Sequence, residues 1–244
     1  MYIEEISLKK EKILSWEEYP FCIPLIQNFE KLQFSKSVTF IVGENGSGKS
    51  TIVEAIALAL GFNAEGGTRN FNFSTSDSHS VLHSYLKVCR SFHQPKDGFF
   101  LRSESFYNVA SNIDFLSSMG GRSLYDSYGG KSLHKQSHGE SFLNLILNRF
   151  SERSIFLLDE PESALSPMRQ MTLLTRIGQL VKENCQFIIA THSPILMSFP
   201  DAEVYQIENG QIKSVDFRET DSFQITKAYL NNPEKMLKEL LDDS

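Results

Sequence analysis

Three short stretches of this sequence carry residue types whose spacing suits phosphoryl chemistry. Gly43, Glu44, Asn45, Gly46, Ser47, Gly48, Lys49 and Ser50 form a glycine-rich octet closed by a Lys-Ser pair, with Thr51 next. Glycines at its first, fourth and sixth places allow turns that aim successive backbone N–H groups at one point, a concavity suited to phosphate oxygens. Lys49 would pair with the β- and γ-phosphates of ATP, and the Ser50 hydroxyl would ligate Mg2+. The second stretch is the acidic pair Asp159 and Glu160. Asp159 would hold Mg2+, while Glu160 would orient and deprotonate an attacking water. The third is His192, 33 residues beyond Asp159 (192 − 159). Its imidazole could hydrogen-bond the γ-phosphate or the lytic water.

Each stretch also has a plainer reading. A glycine loop can merely join a strand to a helix, two acids can be the solvated end of a strand, and a lone histidine is commonly structural. The elements around them tip the balance. Val38–Val42 is an apolar, β-rich run that leads into the octet, and 51–60 reads as a helix closed by Gly61. Ile155–Leu158 runs into the acidic pair and Phe187–Ala190 into Thr191 and His192. Both runs are too short for helices, and unbroken apolar runs suit strands covered on both faces of a parallel sheet. Between them, 168–181 places Leu173, Leu174, Ile177 and Leu180 at helical spacing, completing a β-α-β unit. All three stretches would then stand at the C-terminal edge of one sheet, where open α/β folds bind ligands. The fold class expected is α/β, a P-loop NTPase with a mostly parallel sheet flanked by helices.

The remaining segments position less. Phe99–Arg102 reads as a strand, 113–119 as a short helix, 120–137 as a polar stretch with several glycines, and Phe71–Ser84 as a surface loop or insertion. Val204–Val215 alternates around Asn209-Gly210, a hairpin signal, and Glu234–Leu241 reads as a final helix. A net charge of -6 speaks against a main task of gripping bare nucleic-acid backbone, although a local basic patch stays open. Cys22, Cys89 and Cys185 are odd in number and far apart, which fits reduced thiols and a cytoplasmic chain. The first residues lack a basic, apolar leader, and no window approaches 18 uncharged apolar residues, so membrane insertion is not expected.

The ordered series of strand-end motifs resembles the ATP-binding-cassette ATPases. In that family a Leu-Ser-Gly-Gly-Gln signature lies shortly before the acidic strand; here Ser137, His138, Gly139 and Glu140 stand there, Ser137 being 22 residues before Asp159 (159 − 137). His138 replaces the first signature glycine and Glu140 the glutamine. The resemblance implies that Ser137, Gly139 and Glu140, at the head of a helix over 141–150, contact nucleotide bound to a second subunit in a head-to-tail dimer. Read alone, the same residues would be a helix cap. Ser163, Ala164, Leu165 and Ser166 resemble the loop that usually ends in Asp. The family also places an adenine-stacking aromatic upstream of the phosphate loop, for which Tyr19 is the first candidate and Phe21 the second. Both could equally belong to the core. Its glutamine loop should follow Phe99–Arg102, yet no glutamine stands there; Glu104 and Gln94 are the neighbours.

The resemblance implies one ABC-type domain over 1–244, with 1–60 and 150–244 as nucleotide-binding core and about 85–149 as a smaller helical lobe, plus an antiparallel β portion. Thr191, His192, Ser193 and Pro194 look more like the soluble branch of chromosome-maintenance, repair and overcoming-lysogenization-type ATPases than like transporter subunits. The function implied is a Mg·ATP hydrolase driving a separate protein or nucleic-acid partner. A transporter nucleotide-binding subunit and a low-turnover ATP-sensing regulator are the alternatives.

Overall fold

The computed structural model describes residues 1–69, 80–118, 134 and 137–242. In chain order the strands are β1 (Ile3–Leu8), β2 (Lys31–Gln33), β3 (Val38–Gly43), β4 (Leu86–Arg90), β5 (Asp97–Arg102), β6 (Ser154–Asp159), β7 (Gln186–Ala190), β8 (Glu203–Glu208) and β9 (Gln211–Ser214). The helices are α1 (Pro24–Asn28), α2 (Lys49–Ala59), α3 (Leu82–Tyr85), α4 (Phe106–Ser118), α5 (His138–Arg149), α6 (Pro167–Lys182), α7 (Pro194–Met197), α8 (Asp221–Asn231) and α9 (Pro233–Asp242).

The apolar runs pair as expected. A six-stranded sheet has the order β5-β6-β7-β3-β8-β9, parallel from β5 through β8 and antiparallel only where β9 returns along β8. Strands β3, β5, β6 and β7 are buried on both faces, β8 partly so and β9 largely exposed, and in the buried strands neighbouring residues serve opposite cores. Phe40, Val42, Phe156, Leu158 and Ile189 join one cluster with Val109 and Ile113 of α4, Phe142 and Leu145 of α5, and Leu173 and Ile177 of α6. Ile41, Ile155, Leu157 and Ile188 join the other, with Ile52, Val53 and Ile56 of α2. That second cluster is closed by a three-stranded antiparallel sheet, β2-β1-β4, through Ile3, Ile6, Leu32 and Leu86. Gln186 seals the seam between the sheets. Fully buried at the start of β7, it accepts the N–H groups of Tyr2 (2.7 Å) and Ile3 (3.0 Å) and donates to the Ile3 carbonyl (2.9 Å). A buried amide with both ends bonded is tolerated where an unpaired one is not.

Several elements differ from the sequence reading. Helix α4 begins at Phe106, not at 113, because Phe106, Val109, Ala110 and Ile113 recur at helical spacing and are all buried. The loop expected over Phe71–Ser84 contains the start of α3 in its last residues, Ser80 being buried beneath it. Most of that stretch, and most of the polar stretch over 120–137 including Gln136, lie outside the described residues. Helix α8 was not expected. It starts at a Thr220 cap, whose hydroxyl accepts the Phe223 N–H, and none of its residues is buried. Among the described residues no helix is long and apolar enough to cross a membrane.

Candidate active site

The chain leaves β3 at Gly43 with φ 153 and enters α2 through Gly48 with φ 98, values that favour glycine. Space makes the same demand. A Cβ on Gly43 would lie 2.8 Å from the Ile207 carbonyl oxygen, and one on Gly48 3.0 Å from Leu25 Cδ2. The loop is thus pinned between β8 and α1. Helix α2 begins at Lys49 itself, two residues before the expected start at Thr51, so the first-turn N–H groups and the ammonium share one concavity. Lys49 is 3% exposed, and its Nζ donates to the carbonyl oxygens of Gly43 and Glu44, both at 2.9 Å. Burial pulls its pKa down, opposed by the carboxylates of Glu160, Asp159 and Glu162.

β6 delivers Asp159 beside this loop. The Ser50 hydroxyl donates to Asp159 Oδ1 at 2.9 Å. Burial pushes the Asp159 carboxyl up to about 6, against the opposing pull of Arg102 and of the Ser50 hydrogen bond. Arg102 is the register partner of Asp159 across β5 and β6. Its Nε lies 3.5 Å from Asp159 Oδ2, and its Nη1 lies 2.6 Å from Oε2 of Glu54, one helical turn past Ser50 on α2.

After Asp159 the chain turns sharply. Glu160 sits in the left-handed region (φ 49, ψ 53), held by its N–H on the Ala190 carbonyl (3.0 Å) and by the Ser103 hydroxyl on its own carbonyl (2.7 Å). Its carboxylate Oε1 lies 3.4 Å from His192 Nε2. A groove of about 220 Å³ beside them is lined by Gly43, Glu44, His192, Gln206 and Asp221 among others.

The residues present fit Mg·ATP. Among the described residues Ser47 Oγ and His192 Nε2 are shielded from solvent without a hydrogen-bond partner, and the Lys49 ammonium is held on backbone carbonyls; phosphate oxygens would satisfy all three. The Ser50 hydroxyl and the Asp159 carboxylate are adjacent oxygen ligands of the kind Mg2+ takes, with water and phosphate completing its shell.

Other expected site residues stand apart from this cluster. Ser137 caps α5, its N–H and hydroxyl both donating to Glu140 Oε2 (3.2 and 2.8 Å), and Arg169 lies 3.5 Å from the same carboxylate. Those Ser137 bonds, with Arg169 adding, hold the Glu140 carboxyl below its ordinary range. Gly139 is packed so closely that a Cβ would meet Arg169 Nη1 at 2.5 Å and the Ala164 carbonyl at 2.6 Å. Among the described residues no hydrogen bond joins Ser137, Gly139 or Glu140 to the phosphate loop. Tyr19 is 63% exposed, whereas Phe21 is 7% exposed and packs edge-on to Tyr85 at 4.9 Å. Phe21 is therefore core, and Tyr19 is the aromatic of the two with a free ring.

Arg102, Glu54, Ser103, Glu162 and Gln170 also shape the site, and the sequence reading passed over their roles. Glu54 had a signal, its four-residue spacing from Ser50 on a helix. Arg102 had one too, as the charge that ends an apolar strand. Ser103, Glu162 and Gln170 act through contacts that depend on the fold.

The family model for the AAA domain matches residues 16–188, more than half of the chain. The "Uncharacterized ABC transporter ATP-binding protein" of Haemophilus influenzae is 37% identical over 67 residues, 27% of this chain and 26% of that protein. The "Retron Vc95 probable ATPase" of Vibrio cholerae is 41% identical over 63 residues, 24% of this chain and 12% of that protein. The matched part thus spans only about a quarter of the first relative and about an eighth of the second. Among solved structures, the SMC head domain from Thermotoga maritima is similar with a TM-score of 0.45 and 17% identity, over 88% of this chain and 99% of that one.

Proposed function

The chain belongs to the AAA domain family, and from that premise we propose that it is an ATP hydrolase whose catalytic residues are Lys49, Glu160 and His192. The observation that carries the reading is the Ser50–Asp159 hydrogen bond, which joins the head of the phosphate-loop helix to the acidic strand end. Gly43, Glu44, Asn45, Gly46, Ser47, Gly48 and Thr51 supply the backbone cradle, and Lys49 swings from its carbonyl partners onto the β- and γ-phosphates. Ser50 and Asp159 would hold Mg2+, which would supply charge neutralisation on the phosphates. Glu160 accepts a proton from the attacking water. His192, whose Nε2 stands 3.4 Å from the Glu160 carboxylate, offers its ring to the γ-phosphate. Little covalent help is needed, since this transfer depends on positioning and charge compensation.

Tyr19 would stack on adenine. Ser137, Gly139 and Glu140 would reach nucleotide on a second copy in a head-to-tail dimer; their separation from the phosphate loop of their own chain supports that reading. ATP would close this dimer and hydrolysis release it, switching a separate protein or nucleic-acid partner.

Titration calorimetry with Mg·ATP and a phosphate-release assay test the proposal. Lys49→Ala removes a charge-assisted contact of about 3 kcal/mol, so affinity should drop roughly a hundredfold. Glu160→Gln should retain binding, lower turnover by about 10²-fold or more, and elute as a dimer with ATP on size exclusion. Unchanged affinity in Lys49→Ala defeats the assignment of the loop. A Glu160→Gln variant that stays monomeric with ATP defeats the dimer.

A further inference from the structure

The turn that carries His192 has its backbone donors individually assigned. The Thr191 N–H goes to the Ile41 carbonyl (3.1 Å), and the Ser193 N–H to Thr191 Oγ1 (3.0 Å). The His192 N–H goes to a side chain, Glu162 Oε1, at 2.5 Å. One residue on, the Ser193 hydroxyl donates to Gln170 Oε1 at 2.5 Å, while Gln170 Nε2 donates to the Leu165 carbonyl at 3.0 Å. Glu162 lies in the short 3-10 turn Pro161–Ala164 directly after Glu160, and Gln170 lies in the first turns of α6. Both ties thus run from the segment behind the acidic pair to the histidine turn. Burial raises the Glu162 carboxyl above its usual range, and the His192 amide pulls it back. That is the cost of keeping a carboxylate where a neutral acceptor would bond more weakly.

We propose that Glu162 is a positioning residue, assisted by Gln170, that sets the His192 ring against the Glu160 carboxylate by holding the His192 main-chain N–H. The 3.4 Å approach of the two catalytic groups then follows from one short segment: Glu160 and the acceptor for His192 stand two residues apart on the same turn. Without the carboxylate the His192 N–H loses its acceptor, and the turn must rearrange to find another.

This inference rests on the proposed hydrolytic roles of Glu160 and His192, so its test includes a readout that needs no turnover. The full chain is prepared with isotope-labelled histidine, and the His192 ring signal is assigned by its absence in His192→Gln. In nucleotide-free protein, Glu162→Ala should shift or broaden that signal while the other five histidines (6 − 1) stay in place, and Glu162→Gln, which keeps an acceptor, should restore it. Under saturating Mg·ATP, Glu162→Ala should lower kcat about tenfold with KM within about twofold, and Glu162→Ala combined with His192→Ala should be no slower than His192→Ala alone. Gln170→Leu should move the same signal in the same direction, and it carries the test if Glu162→Ala does not fold. A His192 signal unmoved in Glu162→Ala or, failing that variant, in Gln170→Leu overturns the proposal even if turnover is normal. Additive losses in the double variant overturn it as well. Absence of turnover in the unsubstituted chain sinks the hydrolytic reading instead, and leaves the ring signal to decide the positioning role.

Discussion

Asp159→Asn should stabilise the nucleotide-free protein above neutral pH while weakening its hold on Mg2+. The folded carboxyl ionises at about 6 against an ordinary 3.8. Because the folded value is the higher one, the folded state holds its proton better than the unfolded chain. Stability therefore falls as pH rises from about 4 to 6, and the full cost is present above about 6. The difference of about 2.2 pH units, at 1.36 kcal/mol each, amounts to about 3 kcal/mol. Asparagine escapes this cost at every pH and keeps an oxygen for the Ser50 hydroxyl. Arg102 loses its contact with Asp159 but keeps Glu54, so a net gain of about 1–3 kcal/mol at pH 8 is expected. At about 2–4 °C per kcal/mol for a chain of this size, the melting temperature should rise by several degrees. Thermal melts of both proteins at pH 8 and pH 4.5 check this. The variant should lead at pH 8 and lose its lead at pH 4.5, where the native carboxyl is mostly protonated. Calorimetry at pH 8 should show a loss of the Mg2+-dependent part of ATP affinity. Equal melting temperatures at pH 8, or a lead that persists unchanged at pH 4.5, would refute the argument that burial sets this ionisation.

Two further substitutions probe the frame around the site. Gln186→Leu strips three buried hydrogen bonds between the antiparallel sheet and β7; the protein should lose about 2–4 kcal/mol in urea denaturation, with Mg·ATP affinity unchanged in the folded protein. Arg102→Met leaves Glu54 without its partner at a largely buried pair, side chains 18% and 13% exposed, and should cost about 2–4 kcal/mol. Adding Glu54→Leu should recover most of that loss, and a double variant as unstable as the single would count against the pairing.

Much of the site was legible in the sequence because phosphate binding and strand burial both leave local marks. Three glycines before Lys49 and Ser50 are required by backbone geometry within one loop, and the structure gives Gly43 and Gly48 the conformations anticipated. The runs 38–42, 155–158 and 187–190 read as strands of a doubly covered sheet, since they are unbroken, apolar and too short for helices. From there the meeting of Lys49, Ser50, Asp159, Glu160 and His192 at one edge follows from parallel pairing alone.

What the tertiary structure decided was everything set by contact across distance in the chain. Strands β1, β2 and β4 carry charged and polar residues on their outer faces and look unremarkable until Gln186, more than 180 positions from Tyr2 and Ile3, binds β1 to the main sheet. Arg102 reads as a surface charge until register sets it beside Asp159 and Glu54. Phe21 and Tyr19 are equivalent aromatics in sequence, and only packing against Tyr85 buries one and leaves the other exposed. Residue type and spacing report what a segment can do by itself. Which charge meets which, and how much water remains between them, depends on neighbours that only the folded chain supplies.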